Sequence, residues 1–207
     1  MRNQNGFDQW ADEYESFVKE NENAETYPFA GYQKVIGTIF NTIIENHGID
    51  ILDVGFGTGV LAKRLYDKGC HITGVDFSKR MIEIAGEKMP RARLIQHDFS
   101  AGLPSELGSQ KYDAVTITYA IHHLTMEQKE KLINDMLEHL KNNGMILIGD
   151  VAFEDQNAMD QCAQKAGDAW DSSEMYLTAD EVQKHFPQAQ FHKISYCSGI
   201  FVIVHQK

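Results

Sequence analysis

The chain has 207 residues, 43% hydrophobic and 24% charged, a balance that excludes a disordered or fibrous polypeptide and suits one domain with a sizeable core. Its 19 basic and 30 acidic residues leave a net charge of −11, which repels a phosphate backbone and argues against nucleic acid as a partner. Its longest purely apolar runs are a few residues, so no membrane span is expected, and Met1 to Trp10 holds no apolar stretch of a signal peptide.

In chain order, helices are expected over residues 7–22 and 28–46. Ile49 to Val54 reads as a buried strand that ends at glycines, and Thr58 to Lys68 as a helix closed by Gly69. His71 to Asp76 is a second strand. Ser78 to Lys88 is a second helix of this core, with Ser78 as its N-cap and Pro90 just past its end. Ala92 to Gln96 and Tyr112 to Thr118 are the third and fourth strands. Met126 to Leu140 is a helix with Leu132, Ile133, Met136, Leu137 and Leu140 on one stripe. Asn142-Asn143-Gly144 stops it, and Met145 to Gly149 is a fifth strand.

Strand–helix–strand repetition implies parallel pairing with right-handed crossovers, and so an α/β three-layer sandwich. The tail differs. Thr178-Ala179-Asp180-Glu181 is a capping box opening a helix that ends near Phe186-Pro187. Phe191 to Tyr196 and Gly199 to His205 then read as strands joined by a tight turn at Cys197-Ser198-Gly199, which makes them antiparallel. Residues 1–207 are read as a single domain: a helical cap over 1–46, a binding core over 47–150 and a cover over 151–207. Cys70, Cys162 and Cys197 are widely spaced and odd in number, as in a cytoplasmic protein that keeps them reduced in its core. Residues 1–30 carry −5 and residues 151–181 carry −7, so the acidic excess lies outside the repeated units and suits a mouth covered on both sides by acids.

Ile51-Leu52-Asp53-Val54-Gly55-Phe56-Gly57-Thr58-Gly59 runs a strand through three glycines into a helix. Ligands of open α/β sheets bind beyond the carboxyl ends of such strands, and the following helix N-terminus offers free N–H groups to an anion. The spacing is GxGxG with Val60 where the dinucleotide fingerprint needs glycine or alanine, and no GK[ST] follows, so neither a nicotinamide site nor a P-loop is favoured. Asp76, at the next strand end, suits the two hydroxyls of a ribose. After the third strand, Asp98 suits an adenine amine and Phe99 the ring beside it.

With these residues in place, the chain resembles a class I S-adenosylmethionine-dependent methyltransferase of the small single-domain type. Ile51–Gly59, Asp76-Phe77-Ser78 with Met81, and His97-Asp98-Phe99 match the family's first three motifs. Tyr112–Leu124 and Asn143-Gly144-Met145-Ile146 match those of the fourth and fifth strands. Phe7-Asp8-Gln9-Trp10-Ala11-Asp12-Glu13-Tyr14 resembles a common opening signature of the family. The resemblance covers residues 7–150 by motif and the remainder by topology. It implies a Rossmann-like seven-stranded sheet in the order 3-2-1-4-5-7-6 with strand 7 antiparallel. It implies S-adenosylmethionine as cofactor, S-adenosylhomocysteine as product, and a site assembled residue by residue. Asp53, Gly55, Gly57 and Gly59 would line the methionine moiety, and Asp76 would hold the ribose. Phe77, Met81, Asp98 and Phe99 would surround the adenine. Tyr119 with Ala120 would border the methionine end, and Tyr14 would close over the cofactor.

An activated methyl group needs alignment and dryness more than a catalytic side chain. None is assigned with certainty; His122, His123 and Asp150 are the candidates on the acceptor side. A metal is not expected, because adjacent histidines rarely point at one ion and no third ligand follows at a suitable spacing. Tyr27, Phe29, Phe153, Trp170 and Tyr176 are aromatic candidates for a small pocket. The acceptor is expected to be a small molecule, neutral or cationic, acted on by a monomer. Residues 1–30, polar and short of apolar anchors, are expected to be mobile without cofactor. Two other readings remain: a nicotinamide oxidoreductase, against which GxGxG, Val60 and the lack of a YxxxK after the fourth strand speak, and a non-catalytic cofactor-binding regulator.

Overall fold

A computed structural model describes residues 25–205. Helix α1 (Tyr32–Glu45) leads into β1 (Asp50–Val54), α2 (Val60–Asp67), β2 (His71–Asp76), α3 (Lys79–Lys88), β3 (Arg93–Gln96) and β4 (Tyr112–Thr118). Then follow α4 (Met126–Glu138), β5 (Leu140–Phe153), α5 (Gln156–Ala166), β6 (Leu177–Thr178), α6 (Ala179–His185), β7 (Gln190–Lys193) and β8 (Ser198–Val204). The sheet runs β3-β2-β1-β4-β5-β8-β7, and β6 pairs with the end of β5 outside that path. β1 to β5 are parallel, while β8 is antiparallel to both β5 and β7. The seven long strands thus follow the expected order, with the two-residue β6 as an addition.

Strand side chains divide by parity, as a two-residue repeat requires. Ile51, Ile72, Ala114, Leu147 and Val151 pack on one face with α1, α2 and α3. Leu52, Val75, Val115, Ile117, Ile146 and Ile148 pack on the other with α4 and α6. Both faces are covered, so the parallel strands are apolar almost throughout.

Local chemistry sets most boundaries. Ser78 caps α3, its Oγ accepting from Met81 N at 3.2 Å. Thr125 and Gln128 cap α4 reciprocally. Three expectations are corrected. Helix α4 ends at Glu138, not Leu140, and Asn142-Asn143-Gly144 lie inside β5, because Leu140 already pairs with Tyr112 before a bulge. The turn between β7 and β8 spans residues 194–197, since Ser198 already pairs with Val151 and its carbonyl accepts from Ile194 N at 2.9 Å. Helix α5, which was not among the expected elements, is opened by Asp155, whose Oδ1 accepts from Ala158 N at 2.8 Å.

Helix α1 crosses the sheet at Gly149, where an added Cβ would lie 2.5 Å from Val35 Cγ1 and 2.8 Å from Ile39 Cδ1. Gly149→Val is therefore expected to lower stability by about 1–3 kcal/mol through overpacking, read as a fall in thermal midpoint.

Candidate functional site

β1 and β4 end side by side at the middle of the sheet, where the winding reverses. The glycine turn after β1 lies there, with Gly55, Gly57 and Gly59 at φ of 64°, 56° and 81°. Gly55 cannot be replaced without strain: besides its φ, its Cβ would sit 2.7 Å from that of Ala120. The Asp76 carboxylate holds the turn, one oxygen accepting from Gly57 N at 2.8 Å and the other from Ser78 N at 2.9 Å. Gly59 caps α2, whose first N–H groups point toward the turn. Beneath it, Asp53 is buried and accepts from Thr116 Oγ1 at 2.8 Å. Burial raises its pKa to about 7 despite that bond, with the Asp76 charge adding to the rise.

A cavity of about 600 Å³ opens over the turn. Gly55, Gly57, Asp76, Phe77, Met81, Phe99, Tyr119, His122 and His123 line it, as do Tyr27, Phe29 and Tyr176. Asp53 and Gly59 lie outside the lining. Asp98 is exposed and outside it too, with Oδ1 accepting from Ser100 N at 2.9 Å. Tyr14 and the expected helix over 7–22 lie outside the described residues. Phe153 and Trp170 stand behind the lining, the Trp170 ring stacked 5.1 Å from Tyr27.

The far end is built by the turn Ile121–His123 and by the segment before β6. His122 Nδ1 is 2.6 Å from Asp150 Oδ1, and His123 Nδ1 is 2.9 Å from Glu174 Oε2. Burial pulls the His122 imidazole down, but the charge and hydrogen bond of Asp150 and the charge of Glu174 outweigh it, so its pKa is raised. Asp150 is 1% exposed, and its Oδ2 has no hydrogen-bond partner among the described residues. Met175 N donates to His122 O at 2.9 Å, and the buried Lys129 ammonium donates to Met175 O. Burial lowers the Lys129 pKa to about 8. Tyr27 and Tyr176 share a hydrogen bond between their hydroxyls, and Asp171 N donates to Tyr27 Oη at 3.2 Å.

Lys129, Asp171 and Glu174 were not among the expected site residues. Lys129 had a signal, a charge three and four positions before Leu132 and Ile133 on the apolar stripe of α4. Glu174 had none: it stands 51 positions from His123 and arrives by tertiary packing, which removes the spacing argument against a third ligand.

A glycine turn at the switch point of a doubly wound sheet, backed by an acid on the neighbouring strand, defines a nucleotide-binding α/β protein. Residues 51–144 match the family model of a methyltransferase domain. An uncharacterized methyltransferase of Anoxybacillus flavithermus is 33% identical over 160 residues, covering 77% of this chain and 72% of that protein. Among solved structures, an S-adenosylmethionine-dependent methyltransferase from Clostridium acetobutylicum superposes with a TM-score of 0.71 at 17% identity, over 94% of this chain and 99% of that one. Magnesium protoporphyrin IX methyltransferase from Synechocystis, solved with bound S-adenosylhomocysteine, gives 0.68 at 17% identity over 86% and 85%. The chain belongs to the methyltransferases, and its fold is that of the S-adenosylmethionine-dependent enzymes. Among the described residues no helix is long and apolar enough to cross a membrane.

Proposed function

We propose that the chain binds S-adenosylmethionine and transfers its methyl group, by in-line displacement, to a small-molecule acceptor that is neutral or cationic. The observation that carries the acceptor's class is the charge of the cavity: Asp76, Asp171 and Glu174 line it, and no lysine or arginine does among the described residues. Such walls favour a sulfonium and disfavour a polyanion.

Asp76, which braces the turn and lines the cavity, takes the ribose hydroxyls. Phe77, Met81 and Phe99 take the adenine, with Asp98 at its amine. Asp53, Gly55, Gly57 and Gly59 take the methionine part, whose carboxylate meets the free N–H groups ahead of α2. Tyr119 and Ala120 border the methyl group, and Tyr14 closes over the cofactor. The sulfonium supplies an activated methyl carbon. Tyr27, Phe29 and Tyr176 exclude water, His122 and His123 meet the acceptor, and Asp150, buried outside the lining, acts through its hydrogen bond to His122. Residues 1–207 act as one domain, a monomer in the cytoplasm whose cysteines stay reduced.

Calorimetric titration with S-adenosylhomocysteine, run beside NAD, tests this reading. Micromolar binding of the first and none of the second is the expected result. Tight NAD binding would overturn the cofactor assignment. Faster methylation of RNA or DNA than of small hydroxy, thiol or amino compounds would overturn the acceptor class.

A further inference from the structure

The acceptor end of the cavity holds more ligating groups than an uncomplicated pocket requires. His122, His123 and Glu174 each offer one metal-ligating atom, and the three atoms lie within 4.8 Å of one another. Their side chains are 15%, 25% and 13% exposed, so they are half-buried and still reached from the cavity they line. His123 Nδ1 stands 2.9 and 3.1 Å from the two Glu174 oxygens. On one ion with bonds of about 2.0–2.2 Å, neighbouring ligands stand about 2.8–3.1 Å apart in an octahedron and about 3.3–3.6 Å in a tetrahedron, so a shift of a few tenths of an ångström converts this pair to either. The imidazole rings of His122 and His123 have centroids 4.1 Å apart at an interplanar angle of 65°, so the two chain neighbours pack against each other at the same end of the cavity.

A second, independent feature lies behind them. Asp150 Oδ1 is 2.6 Å from His122 Nδ1, which leaves Nε2 as the nitrogen His122 offers to a ligand. A buried carboxylate on the far nitrogen of an imidazole fixes its tautomer and raises its basicity, as in the outer shell of metal sites. Asp150 Oδ2, buried and without a hydrogen-bond partner among the described residues, adds negative charge behind the His122 imidazole. Asp150 and Glu174 together give this end of the cavity a negative field that suits a cation.

We propose that His122, His123 and Glu174 bind one divalent cation of the zinc class, with Asp150 as the outer-shell partner of His122. Two imidazoles and one carboxylate suit zinc or its transition-metal neighbours better than calcium or magnesium, which favour all-oxygen sets. Three protein ligands leave a coordination position open to the cavity, where a neutral hydroxyl or thiol of the acceptor binds. Bound there, the acceptor releases its proton to solvent at a lower pKa. Its oxygen or sulfur then attacks the methyl carbon as the carbon–sulfur bond breaks, and the bonding pair returns to sulfur to give the neutral thioether. This role rests on the methyl-transfer reading above; the binding of the ion does not.

The test uses the full chain without added histidines, freed of metal by chelator dialysis, then given Zn²⁺ and desalted. Elemental analysis is expected to find about one zinc per chain, and Co²⁺ is expected to develop visible d–d absorption of low coordination number. His123→Ala and Glu174→Gln are each expected to weaken zinc binding by about 10-fold or more, and Asp150→Asn by about 10–100-fold. S-Adenosylhomocysteine titrations of the same samples confirm that each variant is folded. Substoichiometric zinc in the wild type, or wild-type affinity in both ligand variants, would overturn the proposal. Stoichiometric zinc without S-adenosylhomocysteine binding would sink the methyl-transfer reading and leave the metal site standing.

Discussion

Asp76→Ala is expected to lose S-adenosylhomocysteine affinity by about 100-fold or more, equivalent to about 2.7 kcal/mol. The carboxylate has two duties. In the structure it fixes the glycine turn through Gly57 N and the start of α3 through Ser78 N; in the proposed function it also holds the ribose. Alanine removes both, leaving two inward N–H groups without their acceptor and two ribose hydroxyls without theirs. Asp76→Asn separates the duties. Its amide oxygen can keep one backbone contact, while its NH₂ donates where the ribose needs an acceptor. Calorimetry together with a melting curve reads both. A variant that melts like the wild type and binds the thioether equally well would remove Asp76 from the site.

Asp53→Asn is expected to flatten the dependence of stability on pH and to raise stability above neutrality. Burial moves the Asp53 pKa from 3.8 to about 7. The folded chain therefore holds a proton between those values that the unfolded chain has lost. Unfolding free energy falls as pH rises through this window, by up to about 4 kcal/mol at its upper end, and changes no further above it. Asparagine stays neutral at every pH and can still accept from Thr116 Oγ1, so the slope disappears. The same variant should bind S-adenosylhomocysteine more weakly, because a carboxylate below the turn favours the ammonium of the methionine moiety. Denaturant titrations from pH 4 to 8 read the first effect and calorimetry the second. Parallel pH profiles for the two proteins would show that Asp53 ionises normally in the fold.

Asp76 was legible in the linear chain because its signal is local, while Asp53 came with the family resemblance. A strand, three glycines and a helix start within nine residues define the turn, and an acid closing the next strand can only meet it. Gly55, Gly57, Asp76 and Phe99 follow from the order of strands and turns, Phe77, Met81 and Tyr119 from the family resemblance, and all line the cavity. The parallel three-layer sandwich and its antiparallel edge were legible in the alternation of short apolar strands and capped helices, while the strand order came with the family resemblance.

The acceptor end was not. His122 and His123 are adjacent on the chain, and their meaning depends on Glu174, 51 positions from His123, and on Asp150, 28 from His122. Lys129 shows on α4 as an anomaly in an apolar stripe, yet its contact with the Met175 carbonyl depends on where the segment before β6 lies. Helix α5 and the two-residue β6 carry weak periodicity and are held by packing against β5. Hydrophobic period, capping and glycine conformation act over a few residues, so the order of the chain specifies the fold and the cofactor turn. Burial, carboxylate pairing and metal-ligand geometry act between residues distant in the chain, and only the closed tertiary structure brings those together.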